Sequence, residues 1–149
     1  MLRLVIFLSF PGLLLTMLNS NSFGISIHKR SELSQTDSVE IITIYFNQST
    51  YNFQPQEQEK LNALARKLIL NTKQKIRIVG HTDNVGKTQE NIGLSENRAR
   101  VIRSYLLNRS VNEDQIFYTG VGGKYPLNRN DTEENRKLNR RVEISLLPL

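Results

Sequence analysis

The chain has 149 residues, the size of one ordinary domain, and carries 20 Lys and Arg against 14 Asp and Glu, a formal charge of +6. Cysteine is absent, which excludes a disulfide framework, a thiol nucleophile, a thiolate zinc site and an acylated cysteine. Two histidines cannot build a three-His metal centre, and a chain without Trp is poorly supplied for stacking bases. The basic excess suits an anionic partner but selects none.

Residues 1–22 read as a secretory signal peptide. Arg3 is its positive start, residues 4–18 are apolar and contain Pro11, and Asn19-Ser20-Asn21-Ser22 offers small and polar residues for cleavage. A spanning helix needs about 20 apolar residues, more than this stretch supplies. Residues 23–38 are short, polar and aperiodic, a linker. The folded domain is expected over 39–147.

Residues 39–46 (VEIITIYF) have the β-branched and aromatic composition of a strand buried on both faces. Pro55 marks a helix start, and Leu61, Leu64, Ala65, Leu68 and Ile69 recur with helical spacing up to about Asn71. Residues 75–79 (KIRIV) form a second strand running into Gly80. A second helix starts within 88–95 and ends near Asn108, with Ser95, Ala99, Ile102 and Leu106 on its inner stripe. Residues 115–121 are a third strand, 126–138 a polar connection, and 140–146 a fourth strand with Val142, Ile144 and Leu146 on one face. The β-α-β-α-β-β order predicts a two-layer α/β sandwich, with a mixed four-stranded sheet and two main helices on one side.

The loop Gly80-His81-Thr82-Asp83-Asn84-Val85-Gly86-Lys87-Thr88 imitates a phosphate loop, but five residues separate its glycines where that motif has four. No serine stands in a nucleophile elbow to make a triad with His81 and Asp83, and no carboxylate pair stands in an apolar setting that would raise a pKa. Asp83, in a loop beyond a strand end, and Arg98, beside the apolar stripe of the second helix, are the recognition candidates. Either the two pair with each other, or both face one zwitterion, Asp83 taking an ammonium and Arg98 a carboxylate. Neither belongs to the apolar stripe, so replacing them is expected to leave the fold intact.

The run Gly80-His81-Thr82-Asp83-Asn84-Val85-Gly86, then Asn91-x-x-Leu94-Ser95-x-x-Arg98-Ala99-x-x-Ile102, resembles the OmpA/MotB C-terminal (OmpA-like) family of peptidoglycan-binding domains. The likeness continues through Gly120-Val121-Gly122, Asn130-Asp131-Thr132 and Asn139-Arg140-Arg141-Val142-Glu143-Ile144. It implies a non-enzymatic protein that binds peptidoglycan through the diaminopimelate of the stem peptide. In that family an aspartate and an arginine hold the ammonium and carboxylate of that residue's free end, roles that fall on Asp83 and Arg98. Supporting contacts fall on Thr82, Val85, Gly86, Asn91 and Arg140, and on Ser49 in the rim after the first strand. Arg140 is expected to point to the face of Val142 and Ile144, and Arg141 away from it.

Three positions depart from the family pattern: Asn47 for a common aspartate, Ser49 for an asparagine, and Asn135 for a glycine. The last predicts a positive φ at Asn135, since asparagine tolerates that conformation better than most residues. The resemblance places the protein in the periplasm and cell envelope, on peptidoglycan at the outer membrane, with envelope or outer-membrane proteins as further partners and without cofactor, metal or nucleic acid. A barrel-bearing form needs an upstream barrel and an acylated form a cysteine; a membrane-anchored form needs a span that residues 4–18 could barely supply, and a retained anchor is the alternative to a cleaved signal, so the expectation is a free-standing exported domain. Two readings from other classes are a basic nucleic-acid-binding module, suggested by Arg129, Arg136, Lys137, Arg140 and Arg141, and a cell-wall hydrolase.

Overall fold

A computed structural model describes residues 40–149; the expected signal peptide and linker lie outside the described residues. Four strands, β1 (Ile41–Tyr45), β2 (Ile76–Gly80), β3 (Ile116–Gly120) and β4 (Arg141–Leu146), form one sheet in the order β1-β4-β2-β3. β4 runs antiparallel to both neighbours, pairing Tyr45 with Arg141 and Ile78 with Ile144. β2 and β3 are parallel, with Ile78 opposite Tyr118. The helices are α1 (Gln58–Leu70), α2 (Thr88–Leu107) and α3 (Glu133–Asn139).

One face of the sheet carries the core. Ile44, Ile76, Ile78, Val142 and Ile144 pack with Leu61, Leu64, Ala65 and Leu68 of α1 and with Ala99, Ile102 and Leu106 of α2. The two helical stripes thus lie where their periodicity puts them, except that Ile69 turns outward. The other helix-borne surprise is α3, in the stretch read as a polar connection. Thr132 caps it by accepting a hydrogen bond from the Asn135 amide at 3.2 Å, with Glu133 and Glu134 in the first turn. Asn135 is therefore a helical residue and does not adopt the positive φ expected of it. Among described residues other than glycine, positive φ occurs at Ser49 and Ser110.

β1 also differs from its reading. It is an edge strand of a sheet whose helices cover one face, so its residues alternate: Ile44 is fully buried and Ile41 is 55% exposed. Its free edge is blunted by lysines. Lys60 Nζ donates to the Thr43 carbonyl at 3.4 Å, and Lys67 pairs with Glu40.

Two glycines bring α2 down onto the sheet. A Cβ on Gly80 would stand 2.0 Å from the Ser95 carbonyl oxygen, and one on Gly120 would stand 2.2 Å from the Glu96 amide nitrogen. Ser95 Oγ in turn accepts from the Gly122 amide at 2.9 Å and donates to the Ile92 carbonyl at 2.8 Å. This contact fixes the height at which Arg98, three residues further along α2, meets the loop after β2. Gly80→Ala should therefore cost about 3 kcal/mol or more, because the clash is with backbone that cannot move aside. Urea denaturation measures it, and a loss below about 1 kcal/mol would show that α2 can lift off the sheet.

Candidate functional site

The site lies at the end of the sheet where β2 stops. His81 continues the ladder, its amide donating to the Arg141 carbonyl at 2.8 Å, and the Thr82 amide donates to the Gly122 carbonyl at 3.0 Å. The chain then turns at Asp83, whose Oδ1 accepts the Val85 amide at 3.2 Å. Asn91 Nδ2, from the first turns of α2, holds the Val85 carbonyl at 3.0 Å.

Arg98 is fully buried. Its Nε donates to the Thr50 carbonyl at 2.8 Å, Nη1 to the His81 carbonyl at 2.9 Å and Nη2 to the Asn47 carbonyl at 2.9 Å. The guanidinium sits 5.1 Å from the centroid of Phe46. It thereby ties the loop 47–52, closed by the Phe46–Phe53 bridge, to the loop after β2. Burial lowers its pKa to about 10, against the opposing pull of Asp83, so it remains a cation at neutral pH.

The partner of Asp83 is Arg140, not Arg98: Arg140 Nη1 reaches Asp83 Oδ2 at 2.8 Å, with both side chains buried. Arg140 stands between α3 and β4, and its Nη2 bonds Glu133 Oε1 at 2.7 Å. Arg136 holds the other oxygen of Glu133 at 3.0 Å. Burial works against the charge on Arg140, but the hydrogen bonds to Glu133 and Asp83 outweigh it and raise its pKa. Asn139 secures the junction. Its Oδ1 accepts the Leu127 and Asn128 amides, and its Nδ2 donates to Asn128 and Asn130.

These residues enclose a pit of about 40 Å³. Thr82, Asp83, Arg98 and Arg140 line it with Asn91, and Ser49 and Val85 stand at its edge. Of the residues singled out in the sequence, Gly86 alone is not in its lining. With φ +95° it faces a neighbouring cleft of about 370 Å³ alongside Asn84, Thr88 and Lys124. Leu94 and Gln48 line the pit as well. Leu94, one turn before Arg98 on α2, stands in the motif but was not singled out as a site residue, and Gln48 gave no signal. Glu133, which steadies Arg140 from outside, gave none either.

A hollow between β1 and α1, about 610 Å³ and lined by Ile41, Ile42, Lys60 and Lys67 among others, is much larger. It holds no cluster of buried charges, so the chemistry points to the smaller pit. Among the described residues no group of three or more His, Cys, Asp or Glu is placed to hold a metal ion.

The basic run near the C-terminus is largely consumed internally. Arg140 and Arg141 are buried, Arg141 pairs with Glu143 at 2.7 Å, and Arg136 pairs with Glu133. What was a candidate phosphate-binding surface is mostly a set of ion pairs.

The OmpA family model matches residues 45–140. The chain belongs to the OmpA family. It is 42% identical over 90 residues to the peptidoglycan-binding protein ArfA of Mycobacterium tuberculosis, covering 60% of this chain and 28% of ArfA. It is 33% identical over 102 residues to the peptidoglycan-associated lipoprotein of Buchnera aphidicola, covering 68% of this chain and 59% of that protein. Among solved structures, the peptidoglycan-associated lipoprotein of Burkholderia pseudomallei superposes with a TM-score of 0.69 at 28% identity, covering 70% of this chain and 89% of the other. The C-terminal domain of Helicobacter pylori MotB shares the fold, with a TM-score of 0.67 at 24% identity over 72% of this chain and 85% of that one.

The geometry corrects the expectation that replacing Arg98 leaves the fold intact. Arg98→Ala strands three backbone carbonyls and opens a cavity, a loss of about 3–5 kcal/mol. Arg98→Lys should recover little, since one ammonium cannot span the three carbonyls as the fork does. Denaturation of both variants checks this, and wild-type stability in Arg98→Ala would contradict it.

His81 gives a pH dependence. The residue is 4% exposed, neither ring nitrogen has a hydrogen-bond partner among the described residues, and Nε2 lies 3.9 Å from Glu143 Oε2. Burial, then the charge of Arg141, pushes its pKa down to about 4 despite Glu143. A folded pKa below the unfolded value near 6.5 means that the unfolded chain binds the proton first. The stability His81 contributes is thus complete above pH 6.5 and is lost as pH falls toward 4. Stability should already decline between pH 6.5 and 5, and His81→Gln should flatten that segment of the curve. An unchanged slope in the variant would assign the effect elsewhere.

Proposed function

We propose that this protein is a non-enzymatic peptidoglycan-binding domain of the cell envelope, holding the free end of the diaminopimelate residue of the stem peptide in the pit between Asp83, Arg98 and Arg140. The observation that carries this reading is a buried acid and buried guanidiniums lining one pit of about 40 Å³. The pit is too small for a sugar ring or a nucleobase, so what meets its buried charges is a small charged group at its mouth. The free end of diaminopimelate is such a group, an amino-acid zwitterion carrying a cation and a planar carboxylate on one carbon. ArfA is a peptidoglycan-binding protein and the two lipoproteins are peptidoglycan-associated, which supports peptidoglycan as the polymer bound. Thr82 and Asn91 would shape the pit, Ser49, Val85 and Gly86 its approaches. The periplasm, with peptidoglycan at the outer membrane, is the location this assigns, and outer-membrane or other envelope proteins are the macromolecular partners it admits.

The full chain should co-sediment with purified insoluble cell wall and be released by millimolar free diaminopimelate. Asp83→Asn keeps the size of the side chain but removes its charge and its hold on Arg140, and should weaken wall binding at least about tenfold. Binding that ignores diaminopimelate yet falls steeply and uniformly with salt would contradict the proposal and mark a polyelectrolyte surface.

A further inference from the structure

The pit holds one carboxylate and two guanidiniums. Asp83 Oδ2 already accepts Arg140 Nη1 at 2.8 Å and Oδ1 accepts the Val85 amide, so the acid meets a ligand with its charge matched. Among the described residues Arg98 has no carboxylate partner: its three hydrogen bonds run to carbonyl oxygens, which are neutral dipoles. Arg140 Nε and Thr82 Oγ1 are buried there without a hydrogen-bond partner among the described residues. Glu133 does not restore the balance, because it stands outside the pit and is shared with Arg136. With Arg136 and Glu133 counted, three cations still face two acids.

A buried cation surrounded by dipoles gains most from an anion. A buried acid already holding a guanidinium gains less from a second cation, whose own desolvation is unfavourable. We propose that the pit selects the free end of the stem residue by its carboxylate, that the ammonium contributes the smaller share, and that Arg140 sets this order by occupying Asp83. This rests on the diaminopimelate reading above and goes beyond it: a wall whose free carboxyl is converted to a carboxamide would be held poorly, and one that lacks the free amine but keeps the carboxylate would be held well.

The test is competition for wall binding by the full chain, using four small ligands whose first amino-acid centre is acylated and amidated so that only the far end is charged. These are diaminopimelate, 2-aminopimelate with a far-end carboxylate alone, lysine with a far-end ammonium alone, and diaminopimelate with its far carboxyl as a carboxamide. The 2-aminopimelate form should compete within about tenfold of the diaminopimelate form, and the lysine and carboxamide forms should be weaker by about a hundredfold. A lysine or carboxamide form that competes as well as the 2-aminopimelate form overturns the proposal. In folded Arg140→Gln the gap between the 2-aminopimelate and lysine forms should shrink at least about tenfold, because Asp83 is released to meet an ammonium; an unchanged gap removes Arg140 from the account. If that variant does not fold, the wild-type series still decides the ligand order. Failure of the diaminopimelate form itself to displace the protein removes the underlying reading, a result distinct from a wrong order among ligands that do compete.

Discussion

The ion pair between Asp83 and Arg140 is the interaction on which the functional end of this fold depends. It joins the loop after β2 to the junction of α3 and β4 across 57 positions of sequence, with both side chains out of water. Buried charges of this kind are not in themselves a strong source of stability, since desolvation offsets much of their attraction. Their value here is positional. Once Arg140 is committed to Asp83 and Glu133, and Arg98 to three carbonyls, neither guanidinium can rotate freely, and the pit between them is held in shape.

The rest of the structure serves that placement. Gly80 and Gly120 let α2 rest on the strand ends, Ser95 stitches the helix to the turn at Gly122, and Arg98 arrives below the loop 47–52 at the height needed to hold it. That loop contains Ser49 at φ +54°, a conformation that costs a non-glycine residue roughly 1–2 kcal/mol and that the bonds from Arg98 to Asn47 and Thr50 help to hold. On the opposite side Asn139 clamps residues 127–130, so that Arg140 leaves α3 in a fixed direction.

Much of this was legible in the sequence, and the failures have physical causes. The stripes of α1 and α2 and the alternation of β4 were readable because each element buries one face against a single core, which imposes its period on the residues. β1 was misread because a run of β-branched residues has the same composition at a sheet edge as at a sheet centre; neighbours decide exposure, and composition does not carry them. α3 was missed although Asp131-Thr132-Glu133-Glu134 is a good helix start, because seven residues with little apolar periodicity give no stripe to detect. The glycine expected at Asn135 from family pattern misled for the same reason. In the site, Asp83 and Arg98 were found as candidates, but their partners were not. Spacing along one chain cannot say that an arginine 57 residues away will reach an aspartate first, nor that backbone carbonyls will take up a guanidinium.

The most direct test of the account is a pair of double-mutant cycles read by denaturation, one joining Asp83→Asn with Arg140→Gln and the other joining Asp83→Asn with Arg98→Lys. A coupling of about 2 kcal/mol or more is expected between Asp83 and Arg140, and a clearly smaller one between Asp83 and Arg98. A larger coupling to Arg98 than to Arg140 would contradict it, because Asp83 would then be held by the helix and not by the α3–β4 junction.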